Sequence, residues 1–239
     1  MKVRMYNVGF GDCFCLRDRK KSLLVDFGTN NSRIEGRPRR EIFDVIISDL
    51  STIKSKNLLL THFHMDHLSG LLYMMKKKDI SVDFGKIYLP DVFSKKEMSR
   101  TLVLLLLADL LKESGLPSRQ VSLFALVDAL LENKQNVELL SRGKLFENKY
   151  QALWPDTDVI RKETDEVYKR ICEDGKFKEV MDVLLEFAEK LRLIVWSMTA
   201  EGNKPAETVE KETDLTASEL TEQPEVRQKI IRAYVYERE

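Results

Sequence analysis

Histidine is almost missing from this chain. Three occur in 239 residues, and all of them fall between His62 and His67. Cysteine is as scarce, with three in all. Cys13 and Cys15 stand two apart on an expected strand, where both side chains face the same side and seldom bridge. A disulfide framework is excluded as the scaffold, and a reducing, cytoplasmic setting is expected. Charge of neither sign is in excess, because 39 basic residues balance 39 acidic ones. A global electrostatic pull on nucleic acid is therefore absent, and only local patches remain. Long hydrophobic runs are missing too. The longest, Leu102 to Ala108, stops at Asp109, far short of the ~20 apolar residues a membrane span needs. No membrane role is expected. No signal peptide is read ahead of the first strand, which begins within Met1-Lys2-Val3-Arg4. No internal repeat is visible.

What is present suits a globular α/β protein. Hydrophobic residues make up 43% and charged residues 33%, enough apolar material for one large domain or one domain with an insertion. Val3 to Tyr6, Cys13 to Leu16 and Ser22 to Asp26 read as strands. Thr29 to Arg40 is polar and reads as a loop. Its Arg37, Arg39 and Arg40 either meet a phosphate or are simply solvated. Glu41 to Ser51 has the apolar spacing of a crossover helix, followed by a strand over Asn57 to Thr61. A helix follows from Asp66 through Met75, and Lys76 to Lys78 suit the negative end of its dipole. Lys86 to Pro90 is a further strand.

Beyond Ser94 the character changes. Leu102 to Leu111 and Val121 to Leu131 read as an αα-hairpin with Ser118 as a helix cap. Val137 to Leu140, Lys144 to Phe146 and Gln151 to Leu153 are short strand candidates. Helices are expected over Asp158 to Asp174 and Phe177 to Met198. Ala200 to Pro224 is rich in Glu, Thr, Lys and Ser and reads as a flexible linker, with a terminal helix or strand over 225–239. The domain reading is 1–155 with a helical insertion at 94–134, a helical region at 156–199, the linker at 200–224 and the terminal element.

The densest chemistry lies in Thr61-His62-Phe63-His64-Met65-Asp66-His67. Neutral imidazole and carboxylate are the standard ligands of zinc and its neighbours. On an extended chain residues two apart point the same way, so His62 and His64 can converge on one metal. Asp66 and His67 come after a turn, where the free N–H groups and dipole of a helix start favour the aspartate. Two ligand pairs flanking a turn suit two adjacent metals. Zinc is expected, as one or two ions, with manganese or iron as alternatives.

The stretch also reads His-x-His-x-Asp-His and resembles the signature of the metallo-β-lactamase superfamily. Met5 to Leu16, with Val8-Gly9-Phe10-Gly11-Asp12, resembles that family's opening strand and turn. Ser22 to Gly28 resembles its second strand, ending in Asp-x-Gly. The Val-Gly-x-Gly-Asp form is similar to the branch that includes the hydrolase-like domain of the bacterial competence protein ComEC, and Tyr150 to Pro155 echoes that branch. The resemblance implies αββα layers carrying a metal-dependent hydrolase. His62 and His64 would hold a first metal, and Asp66 and His67 a second. Asp66 would also orient the nucleophilic water, and Asp12 and Asp26 would support the site from behind. It tilts the substrate toward a phosphodiester, in a small molecule or in nucleic acid.

The family completes its site with later histidines and an aspartate, and no histidine follows His67. Three readings stay open. The fold is partial, completed by a protein partner or by self-association. The missing ligands are replaced by Asp156, Asp158, Cys172 or solvent. Or the chain is a non-catalytic interaction protein on the same scaffold.

Overall fold

The computed structural model describes residues 1–18, 21–77, 83–113, 123–173 and 175–200. Ser118, the linker at 200–224 beyond its first residue and the element at 225–239 lie outside them. The chain divides into two compact units, the first comprising residues 1–90 and 129–138.

The first unit is built on three strands and two crossovers. β1 (Lys2–Met5), β2 (Phe14–Asp18) and β3 (Lys21–Val25) run antiparallel in sequence order. β6 (Ser55–Leu59) then pairs parallel with β3, and β7 (Ile87–Pro90) parallel with β6. Parallel neighbours require a crossover, and the two crossovers carry α1 (Arg39–Ser51) and α2 (Met65–Met75). The sheet runs β1-β2-β3-β6-β7-β8, and its last strand, β8 (Val137–Leu140), begins in this unit. The expected mixed α/β class is observed, with a central mixed sheet consistent with a metallo-β-lactamase-like fold. Among the described residues the other strands form two-stranded pieces only.

Helix α1 forms because its apolar residues recur every three or four positions. Ile42, Phe43, Ile46, Ile47 and Leu50 are buried, while Val45 on the opposite face is 59% exposed. One stripe therefore faces the sheet, and each fully buried side chain of this kind contributes about 1.5–3 kcal/mol. Phe43 stands edge-on to Phe27 at 5.2 Å and tilts against Tyr73 at 5.6 Å, which joins the end of β3 to both helices. α2 has no basic residue in its last turn. Lys77 is engaged sideways instead, 2.5 Å from the Asp44 carboxylate and over the Tyr73 ring. Lys76 stands at the C-cap of α2, and Lys78 lies outside the described residues.

The segment read as a loop, Thr29 to Arg40, contains a small hairpin, β4 (Arg33–Ile34) against β5 (Arg37–Pro38). Its turn places Glu35 and Gly36 at φ 49° and 79°. Only Ile34 of the hairpin is buried, so too little apolar alternation exists for the sequence to announce it.

The second unit takes residues 91–128 and the described residues from 139 on. α3 (Ser99–Glu113) finds its main partners in α6 (Gly175–Ser197) and α5 (Thr157–Glu173). α4 (Leu123–Glu132) follows, and its Phe124 N–H donates to Asp109 at 3.4 Å. The segment that would join the two helices of the expected αα-hairpin lies outside the described residues. The long apolar face of α6 buries Val180, Met181, Leu184, Ala188, Leu191 and Val195. β9 (Leu145–Phe146) and β10 (Tyr150–Gln151) form a hairpin. Asp156 accepts backbone N–H groups from Asp158 and Val159 at the start of α5, and pairs with Arg142 at 3.0 Å. No helix among the described residues is long and apolar enough to cross a membrane.

Close backbone approach seats α2 in the first unit. A Cβ on Gly28 would lie 2.6 Å from the Leu68 nitrogen, and one on Gly11 would lie 2.2 Å from the Gly28 carbonyl oxygen. These obstacles are backbone, which cannot rotate away. Gly28→Ala is expected to destabilise the protein by at least ~2 kcal/mol through this overlap. A urea midpoint equal to that of the wild type would contradict the packing.

Candidate metal centre

The site grows from the ends of two adjacent parallel strands. Where β3 stops, Asp26 turns the chain at φ 54°, a left-handed conformation that aspartate tolerates better than most residues. Its N–H still donates to Leu59 O at 2.8 Å, and Phe27 N–H donates to His67 O at 2.7 Å. Gly70 and Leu71 N–H groups both donate to Phe27 O. The turn after β3 is thereby bound to the first turns of α2. Asp12 joins from the other side, its N–H donating to Asp66 O and its carbonyl accepting from Gly28.

The Asp26 carboxylate is 2% exposed as a residue, and it is fully engaged. Oδ1 accepts the Thr61 N–H at 2.8 Å, and Oδ2 accepts the Thr61 hydroxyl at 2.7 Å. Oδ2 also lies 3.0 Å from His67 Nδ1. An ionised carboxylate only accepts, so His67 carries its proton on Nδ1. The Thr61 hydroxyl, having donated to Asp26, must accept from His62 Nδ1 at 3.0 Å. Both imidazoles are therefore held as Nδ1–H tautomers, one directly by Asp26 and one through Thr61. Both Nε2 lone pairs are left free, as a metal ligand requires.

Ligand atoms of His62, Asp66 and His67 lie within 4.8 Å of one another. His67 Nε2 is 3.7 Å from Asp66 Oδ2, and the His62 and His67 ring centroids are 3.7 Å apart. Bonds of ~2.0–2.2 Å to a shared zinc fit donors this close after small movements. Two imidazoles and a carboxylate fit a divalent transition metal in chemistry as well as spacing. A second group, Asp12, Asp26 and His67, also falls within 4.8 Å. It reads instead as the hydrogen-bonded support of the first, because Asp26 and His67 Nδ1 are already spent on each other. Asp12 Oδ2 is 3.6 Å from that nitrogen, beyond a normal hydrogen bond.

Of the six residues singled out in the sequence, five fall in these two groups. His62 joins Asp66 and His67. His64 precedes α2 as its N-cap, with its ring 4.7 Å from that of His62, and it falls in neither group. Asp156, Asp158 and Cys172 belong to the second unit. Thr61 was read only as the end of a strand. A hydroxyl directly before the first histidine is its one sequence signal. Burial, followed by the neighbouring Cys15, Asp26 and Asp12, pushes the Cys13 thiol well above its ordinary range.

Residues 6–91 match the family model for the metallo-beta-lactamase superfamily, and the whole arrangement above lies inside that span. Endoribonuclease YSH1 of Mycosarcoma maydis is 32% identical over 77 residues, which cover 32% of this chain. The chain spans 8% of that relative's length. No solved structure gives a significant match.

His62 titrates below its ordinary value, first because of burial and then because of the neighbouring His67 and His64, with Asp26 and Asp66 opposing. The unfolded chain therefore takes up this proton first. The metal-free protein should lose the corresponding stability as pH falls below the unfolded value of ~6.5, and His62→Gln should flatten that loss in urea midpoints compared across pH. Asp26→Asn, which cannot enforce the Nδ1–H tautomers, is expected to weaken metal affinity by roughly 10–100-fold. A chelator competition showing unchanged affinity would refute that role.

Proposed function

We propose that this chain is a metal-dependent hydrolase of phosphodiester bonds, acting on nucleic acid. The observation that carries the reading is the double tautomer control exerted by Asp26, which leaves His62 Nε2 and His67 Nε2 free beside the Asp66 carboxylate. Support for the substrate class comes from the likeness to an endoribonuclease over 77 residues and from the ComEC-like form of Gly9 to Asp12. His62, Asp66 and His67 would hold zinc, with manganese or iron as alternatives, and His64 stands ready for a second ion. A divalent ion bound there supplies Lewis acidity and lowers the pKa of a coordinated water toward ~7.

The rest falls to the protein. Asp26 and Thr61 fix the rings against rotation and keep protons on Nδ1, which leaves Nε2 of His62 and His67 as the nitrogens that would hold a metal. Asp66, with its side chain partly exposed, accepts a hydrogen bond from the attacking water and aims it. A cytoplasmic setting belongs to this reading, supported by the free Cys13, Cys15 and Cys172.

A second reading is favoured by the absence of any histidine after His67. The chain would then be a non-catalytic interaction protein, or one whose ligand set is completed by a partner or a second copy.

Elemental analysis of the full chain tests both. The wild type is expected to retain zinc, manganese or iron, and the double variant His62→Ala, His64→Ala to lose most of it. Near-zero metal in both would sink the hydrolase reading. Metal retention without hydrolysis of bis(p-nitrophenyl) phosphate or oligonucleotides would favour the interaction reading.

A further inference from the structure

Hydrogen bonds tie the Gly9–Gly11 turn to the β4–β5 hairpin on one side and to the start of α2 on the other. Phe10 N–H donates to Asn31 Oδ1 at 2.7 Å, and Phe10 O accepts the Asn30 N–H at 2.8 Å and the Thr29 hydroxyl at 3.3 Å. Asn7 Nδ2 donates to Glu35 at the hairpin turn, at 2.7 Å. Two residues past Phe10, the Asp12 N–H donates to Asp66 O at 3.1 Å. The hairpin, the turn and the ligand-bearing start of α2 are therefore coupled through short backbone links.

Two features of this surface have no use within the fold. Phe10 is 80% exposed, although its backbone is pinned on both sides. A large apolar ring is displayed where burial would have stabilised it. Arg37, Arg39 and Arg40 are exposed, stand within four positions of one another and have no acidic partner among the described residues. Arg39 and Arg40 also stand in the first turn of α1, where the helix dipole disfavours cations. Glu35, the acid within the hairpin, is engaged by Asn7.

We infer that Phe10 with Arg37, Arg39 and Arg40 is a binding surface for single-stranded nucleic acid, feeding the strand toward Asp66. The inference rests on the reading of the neighbouring centre as a phosphodiester hydrolase. Arginines neutralise phosphates along the strand, and an exposed aromatic ring stacks an unpaired base. A duplex keeps its bases stacked internally and offers Phe10 nothing. A cluster of cations alone would bind any polyanion, and the pinned aromatic is what selects unpaired bases. The neutral net charge of the chain makes this local excess the electrostatic feature that matters.

The test uses the full chain and fluorescence anisotropy with labelled 12-nucleotide oligouridylate, oligodeoxythymidylate and a 12-base-pair duplex. The triple variant Arg37→Gln, Arg39→Gln, Arg40→Gln should bind both single strands 10–100-fold more weakly at moderate salt, with the log–log salt slope reduced by about 2. Phe10→Ala should weaken single-strand binding roughly tenfold and leave the salt slope unchanged, and Phe10→Trp should restore it. The two single strands report whether RNA or DNA is preferred. Affinities within twofold of the wild type in the triple variant would overturn the proposal. So would equal loss of duplex and single-strand binding in Phe10→Ala. The affinity readout needs no turnover. Hydrolysis of bis(p-nitrophenyl) phosphate, which has neither strand nor base, is run in parallel and should be unchanged in these variants. Its absence in the wild type would remove the hydrolase reading while the affinity results still decide the binding surface.

Discussion

The buried carboxylate of Asp26 is the interaction on which the rest depends. An ionised group taken out of water is destabilising unless it is hydrogen-bonded. Asp26 meets that condition by drawing in the Thr61 backbone, the Thr61 hydroxyl and the His67 imidazole. The same three bonds join the end of β3, the end of β6 and the start of α2. Stability and site geometry are thus one constraint. The chain cannot satisfy this carboxylate without also setting the tautomers of His62 and His67.

That constraint works only because the backbones come close. Gly11 and Gly28 let the two turns lie against the first turn of α2, and Gly70 leaves room for the Phe27 ring, 2.6 Å from where a Cβ would stand. Phe27 then carries the contact down to Phe43 on α1. The polar cluster rests on an apolar layer that includes Leu24, Leu58, Leu60 and Leu68, all 0% exposed. The candidate centre sits beyond the carboxyl ends of parallel strands β3 and β6, the usual crevice of open α/β sheets. The loops at that end are free to carry chemistry because the strands beneath are fixed.

Much of this was legible in the residue order. The crossover helix followed from the spacing of Ile42, Phe43, Ile46, Ile47 and Leu50, because a helix facing a sheet needs one apolar stripe. The candidate ligands were legible because histidine occurs nowhere else. The hairpin at Arg33 to Pro38 was hidden, since two-residue strands with one buried side chain leave no period to detect. The role of Lys77 was hidden as well, because its partner Asp44 is distant in sequence and lies on another helix. Thr61 was overlooked for a related reason. Its hydroxyl matters only through the simultaneous positions of Asp26 and His62, which are set by the parallel pairing of β3 with β6.

The sequence by itself determined the residue types of the centre, their crowding into six positions and the α/β class, because local spacing and composition suffice for those. Tertiary structure alone decided which residues act together. His62 groups with Asp66 and His67, and His64 stands at the helix N-cap with its ring 4.7 Å from that of His62. It also decided which nitrogen of each ring is free and that Arg37, Arg39 and Arg40 have no acidic partner among the described residues. The physical reason is range. A strand period or helix stripe is written within a few residues, whereas a hydrogen bond from His67 to Asp26 exists only after 41 positions of chain have been folded back.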